Sequence, residues 1–300
     1  MTAEVKRTPA MFKGGAGNKL VADIYGEEGQ PVLLMHGAGQ TRHAWQKTAE
    51  MLVGLGYMAC AVDHRGHGDS EWILQETGGY DFPDFAGDAR ALAAALTERT
   101  GKRPIAIGAS LGGIASMLAE ASLDASSNGS IFSALVLVDI TPRVNRDGVG
   151  KVHSFMRANA QEGFASVDEA AESVAAYLPH RPRPRSNEGL KKNLRLHSDG
   201  RWRWHWDPRF LEGRRRGGPG GEAVEAMLIA AARRLTIPTL LVRGGSSELV
   251  QEEHVREMLE LVPHASYADV IGARHMVVGD RNDQFASAIK TFLMELNGRH

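Results

Sequence analysis

The chain has 300 residues, 43% hydrophobic and 24% charged, with a net charge of −1, which suits a large α/β domain with an insertion or two average domains and excludes collagen, coiled coil and wholesale disorder. The longest apolar runs, such as ALVLV at 134–138, fall far short of the ~20 residues of a bilayer-crossing helix, and the N-terminus shows no apolar leader, so a cytoplasmic protein with no membrane partner is expected. The single cysteine, Cys60, cannot form an intramolecular disulfide and reads as a small core residue within YMACAV.

Short apolar runs alternate with longer segments of helical spacing, the pattern of strand–helix units feeding a mostly parallel sheet. The first 26 residues form a β-hairpin candidate. Core strands are expected at PVLLM (31–35), YMACAV (57–62), RPIAIG (103–108) and ALVLVDI (134–140), with helices at about 43–54, 83–100 and 111–122. After Asp139 the alternation stops, and some 95 residues pass before PTLLVRG (238–244) and SYADVI (266–271) resume it. Such a gap is too long for a loop. It holds the periodic segments VGKVHSFMRANAQ and SVDEAAESVAAYL, the aromatic stretch RWRWHWDPRF, and a helix at about 222–234. The reading is an all-helical insertion over 142–216 on a core formed by 1–141 and 217–300, with the glycine-rich piece at 213–221 as a hinge or surface loop.

The strongest local signal is Gly108-Ala109-Ser110-Leu111-Gly112, a G-x-S-x-G that follows the strand RPIAI and opens a helix. Two flanking glycines permit a tight strand-to-helix turn that presents Ser110 as a nucleophile beside backbone NH groups. A serine hydroxyl needs a base and a group to orient that base. Of twelve histidines, His275 is the candidate base, because VIGARHMVVGD follows the last strand and so reaches the carboxyl edge of the sheet. For the acid, Glu248 in GGSSELV gives the chain order serine, acid, histidine and is preferred; Asp139, at the end of LVLVD, is the rival. The turn His36-Gly37-Ala38-Gly39 brings backbone close to a ligand, and the NH of Ala38 with that of Leu111 is expected to hold an oxyanion. His64 and His67 in DHRGHGDS lack the carboxylate–histidine helix of a zinc site, so no metal and no cofactor is expected.

HGAG, DHRGHGDS, GASLGG, GGSSELV and GARHM together resemble, in order and along essentially the whole chain, the oxyanion turn, glycine-rich loop, nucleophile elbow, acid loop and base loop of the α/β-hydrolase family. That resemblance implies a mostly parallel eight-stranded sheet flanked by helices, with a helical cap inserted after strand 6. The layout is similar to the capped epoxide hydrolase and haloalkane dehalogenase branch. Those enzymes use an aspartate nucleophile; the serine at position 110 implies acyl transfer instead.

Over 181–216 ten Arg and two Lys face four acids, a local charge of +8 that reads first as a solvated face and second as a means of steering anionic ligands. Candidate substrate contacts are His36, Gly37, Trp45, Met156, Trp204, Trp206 and Met276, with the alternating tryptophans giving an extended segment with one aromatic face rather than a nucleic-acid platform. The expected activity is hydrolysis of small to medium hydrophobic carboxylic esters by a monomer or homodimer. Lactone or carbon–carbon bond cleavage and a non-catalytic ligand-binding protein are the alternatives.

Overall fold

The computed structural model describes residues 5–73, 79–122, 129–181, 183–212, 221–275, 277 and 282–298. The strands are β1 (Arg7–Lys13), β2 (Lys19–Tyr25), β3 (Gln30–Met35), β4 (Tyr57–Val62), β5 (Ile105–Ala109), β6 (Ala134–Val138), β7 (Leu194–Leu196), β8 (Trp202–Trp204), β9 (Thr239–Gly244) and β10 (Ser266–Val270). Eight of them form one sheet in the order β1-β2-β4-β3-β5-β6-β9-β10. The hairpin β1-β2 is antiparallel and β2 joins β4 antiparallel; from β4 to β10 every pair is parallel.

The parallel strands are apolar without interruption because both of their faces are covered. In β3, Leu33 and Met35 pack on one side of the sheet and Val32 and Leu34 on the other. The first side is closed by α2 (Phe82–Thr100) and α3 (Leu111–Ala121), through Phe85, Leu92, Ile114 and Met117. The second is closed by α1 (Gln46–Gly54) and the C-terminal helix (Asn282–Asn297), through Leu52, Ile289 and Phe292. Cys60 is fully buried on the first side, and burial pushes its thiol up to about 12.

Between β6 and β9 the chain leaves the sheet as α4 (Arg146–Arg157) and α5 (Val167–Tyr177), and returns through α6 (Glu222–Arg233), which packs on α3. This insertion is mainly but not wholly helical, since β7 and β8 pair antiparallel. The R-W-R-W-H-W alternation gives the reason. Period two fits an extended chain, and it buries Trp204 and Trp206 on one side. The strand end is tied to the core by Asp207 NH to Gly66 O and Gly68 NH to His205 O, both 2.7 Å, and by the Tyr80 hydroxyl donating to Asp207 at 2.6 Å. The glycine-rich piece expected as a hinge, and with it the expected boundary at 216–217, falls on 213–220, outside the described residues. No helix among the described residues is long and apolar enough to cross a membrane.

Candidate active site

Ser110 stands between β5 and α3 with φ 46° and ψ −108°, a conformation L-residues rarely adopt. Its surroundings enforce the turn. A Cβ on Gly108 would lie 2.4 Å from the Gly112 carbonyl carbon, and one on Gly112 would lie 2.3 Å from the Met35 oxygen. Both contacts are backbone on backbone and cannot yield, which is why the serine is flanked by glycine on each side.

His275 follows β10, and its Nδ1 lies 2.7 Å from Asp139 Oδ2. The expectation that Glu248 would orient this histidine is therefore corrected: Glu248 pairs with Arg274 at 2.7 Å, and the carboxylate on the imidazole belongs to Asp139. The end of β6 explains the difference. Asp139 continues the central strand into a positive φ of 50°, is fully buried, and donates its NH to Val242 O at 2.7 Å. That backbone turn aims the carboxylate across the top of β9 toward the base loop. Its Oδ1 accepts from Gly244 NH at 3.0 Å and its Oδ2 from the Ser247 hydroxyl at 2.6 Å. Ser247 Oγ is itself held by the NH groups of Leu249 and Val250, each at 3.1 Å. The GGSSELV loop thus contributes a hydroxyl to the acid rather than the acid itself, and no spacing in the sequence distinguishes Ser247 from its neighbour Ser246.

Three buried histidines support the turn after β3. His36 Nε2 accepts from His64 NH at 3.1 Å, so its proton sits on Nδ1 and is donated to Gly37 O at 2.8 Å. His64 Nε2 donates to His36 O at 3.0 Å. His67 Nε2 accepts from Gly39 NH at 3.1 Å and its Nδ1 donates to Arg65 O at 3.0 Å. For His36 and His67 the neutral tautomer is fixed by the acceptor role of Nε2. Burial pushes the His36 imidazole down to about 4 and holds that of His64 well below its ordinary range. Among the described residues no group of three or more His, Cys, Asp or Glu side chains is placed to hold a metal ion. His36 was expected to touch a ligand; it lies fully buried under the turn and lines none of the described cavities, because its ring is used to shape the backbone above it.

Two cavities meet at Ser110 and His275 and share Ala38, Val152 and Met156 as their partition. The larger, of about 120 Å³, is lined by Gly37, Trp45, Phe155, Tyr177, Trp204 and Trp206 among others. The smaller, of about 40 Å³, is walled by Leu111, Ile114, Ile140, Val144, Val149 and Leu249. Neither Ala38 NH nor Leu111 NH, the first amide of α3, donates to a described backbone or side-chain acceptor. Of the expected contacts, Gly37, Trp45, Met156, Trp204 and Trp206 thus face the larger cavity, whereas Met276 lies outside the described residues. Phe155, Tyr177 and Val152 were not anticipated. They sit on α4 and α5 at positions where a helix-face apolar residue looks the same whether it covers a core or a cavity. Burial pushes the Tyr177 hydroxyl up to about 12, so it faces the cavity uncharged.

Comparison with known proteins gives consistent matches. A family model described as serine aminopeptidase, S33, matches residues 26–282. The esterase Rv0045c of Mycobacterium tuberculosis is 30% identical over 80% of this chain and 74% of its own. A 3-hydroxybutyrate-oligomer hydrolase of Cupriavidus necator is 27% identical over 84% of this chain and 85% of its own. Among solved structures, E-2-(acetamidomethylene)succinate hydrolase superposes with a TM-score of 0.78 at 24% identity, over 96% of this chain and 99% of that one, which shows a shared fold.

Proposed function

Because the chain belongs to the α/β-hydrolase family described as serine aminopeptidase, S33, and is a hydrolase by that membership, we propose that it cleaves carboxylic esters through an acyl-serine intermediate on Ser110. The observation that carries this reading is the alignment of three groups on one cavity: Ser110 on a strained turn, His275 on the same cavity wall, and Asp139 2.7 Å behind the imidazole.

In this reading His275 Nδ1–H donates to Asp139, which leaves Nε2 as the base that takes the Ser110 proton as Oγ attacks the ester carbonyl. Negative charge develops on the carbonyl oxygen, and the NH groups of Ala38 and Leu111 receive it. One such donor contributes about 3 kcal/mol in the transition state. His275 then returns the proton to the departing alcohol. Water activated by the same imidazole releases the acid and restores Ser110. The three histidines under the Gly37–Gly39 turn keep Ala38 in place without themselves meeting the substrate, and the segment between β6 and β9 serves as the cap that closes the cavity.

The lining chemistry favours an ester over a peptide. A free peptide amino terminus is held most strongly by a carboxylate, and no Asp or Glu is among the described residues lining either cavity at Ser110. A small, neutral, aromatic-walled space suits an acyl or alkyl chain. The test is p-nitrophenol release from acetate, butyrate and octanoate esters by the wild type beside Ser110→Ala. Turnover should fall by about 10³-fold or more in the variant; equal rates would remove the acyl-serine route.

A further inference from the structure

The cavity over Ser110 runs into an outer groove of about 570 Å³, and Gly39, Gln40, Ala44, Phe155, Tyr177 and Trp204 belong to the walls of both. The inner part carries no Asp, Glu, Lys or Arg among its described lining residues. The outer part carries three cations from separate elements: Lys47 from α1, Arg181 from the turn after α5, and Lys192 from the short helical turn before β7. Its one described carboxylate, Glu50, accepts from the Gln46 amide at 3.0 Å, and Gln46 in turn accepts from Lys192 Nζ at 3.2 Å. Neither Lys47 nor Lys192 forms an ion pair with a described carboxylate, and both are exposed. His43, on the same wall, is held below its ordinary range, first by burial and then by the charge of Arg42, so it adds no further positive charge to the groove.

The wider basic run does not explain this convergence, because five of its twelve cations pair with carboxylates elsewhere. Arg183 pairs with Glu172, Lys191 with Glu188, Arg195 with Asp69, Arg203 with Asp199 and Arg209 with Asp207. Arg181 and Lys192 are the cations of that run that face the groove; Lys192 forms no ion pair with a described carboxylate, and it shares the groove with Lys47, which comes from the core and not from the run.

We propose that the groove is a subsite for a carboxylate at the far end of the substrate. It rests on the esterase reading and sharpens it: the preferred ester is apolar beside the scissile bond and anionic several carbons away. An ammonium has three donors, and Lys192 spends one on Gln46, so a carboxylate can be received without breaking a structural ion pair. Such exposed contacts are individually modest and screened by salt, whose Debye length falls from about 10 Å at 0.1 M to about 3 Å at 1 M.

The experiment compares matched esters that differ only in the terminal group. One pair carries the charge on the acyl side: the mono-p-nitrophenyl ester of suberic acid against its N-methylamide. The other carries it on the alcohol side: 6-butyryloxyhexanoate against its N-methylamide. Wild type, Ser110→Ala, the double variant Lys47→Gln/Lys192→Gln and the off-groove control Lys191→Gln are assayed at low and high salt. In at least one pair kcat/KM should favour the anionic member by about three- to tenfold at low salt, and the ratio should fall toward one in high salt and in the double variant while Lys191→Gln keeps it. Ser110-dependent turnover with no charge preference in either pair, or a preference that survives the double variant, overturns the subsite alone. Absence of Ser110-dependent turnover on all four esters overturns the esterase reading and the subsite with it.

Discussion

The carboxyl edge of the sheet and the insertion above it are held by different forces. At the edge, the polar groups around the candidate site are fixed by directional bonds: Asp139 accepts from Gly244 NH, the Ser247 hydroxyl and His275; His36 and His67 each hold backbone with both ring nitrogens; and His64 donates its ring Nε2–H to His36 O and its backbone NH to His36 Nε2. The insertion presents rings. Phe155 stacks on Tyr177 with centroids 4.1 Å apart and leans on Trp204 at 5.8 Å, and Trp204 Nε1 is buried with no hydrogen-bond partner among the described groups. Hydrogen bonds fix angles, whereas packed rings fix only volume. In the proposed esterase reading the edge therefore decides whether a reaction occurs, and the insertion decides what fits. Variants at the edge should change kcat by orders of magnitude, and variants in the insertion should change selectivity by small factors.

The sharpest break of that contrast is Asp139→Asn beside Glu248→Gln. An amide at 139 can offer its NH2 to the imidazole and favour the wrong tautomer, so kcat on a p-nitrophenyl ester should fall by about 10³- to 10⁴-fold. Glu248→Gln removes a half-buried ion pair with Arg274, and kcat should stay within about threefold. The reverse ranking would return the acid to the loop after β9.

Next in size is the response of the edge to acid. His36 is neutral and fully buried in the fold, with its ring pushed from 6.5 down to about 4. The unfolded chain therefore binds a proton that the folded chain refuses between those values, so stability is complete above pH 6.5 and declines as pH falls toward 4. This one group accounts for a loss of about 3 kcal/mol across the window, and His64 acts in the same direction. Urea midpoints at pH 7, 5.5 and 4.5 measure it. In His36→Asn the decline over the same window should be shallower, even though the variant is less stable at neutral pH.

Ser247→Ala tests how far the edge extends behind the acid. The hydroxyl is one of three groups bonded to the Asp139 carboxylate, and a hydrogen bond to a charged group contributes ~1.5–3 kcal/mol. With His275 and Gly244 still in place, kcat should drop by about tenfold with little change in KM. Ser247→Thr, which keeps the hydroxyl, should recover most of the loss; equal loss in both variants would assign the effect to packing.

The two regions also differ in how much of them the sequence discloses. Strands covered on both faces, such as VLLM and ALVLV, are apolar throughout, and glycines forced by backbone contacts, such as Gly108 and Gly112, stand at fixed offsets from Ser110. Both leave local marks. The acid does not, because Asp139 and Glu248 each follow a core strand and each lies between the serine and the histidine in the chain. What separates them is the positive φ at Asp139 and its hydrogen bonds to β9 and the loop beyond, which exist only once β6, β9 and β10 lie side by side. The cavity wall is hidden for a related reason: Phe155 and Tyr177 occupy ordinary amphipathic helix positions, and only the docking of α4 over the Gly37–Gly39 turn gives them a cavity to face.

The smallest expected effect lies in that wall. Phe155 borders both the inner cavity and the outer groove and stacks on Tyr177, so Phe155→Ala removes part of the partition between them without touching Ser110, His275 or Asp139. In the esterase reading the ring lines the passage from the inner cavity, of about 120 Å³, to the outer groove. Opening it should raise kcat/KM for octanoate relative to acetate by about three- to fivefold, an amount typical of small changes in a hydrophobic pocket, while turnover on acetate moves by less than about threefold. A loss of turnover by about a hundredfold or more on every chain length would show that the ring positions the catalytic groups. The separation between an edge that reacts and an insertion that selects would then fail, because Phe155 would belong to both.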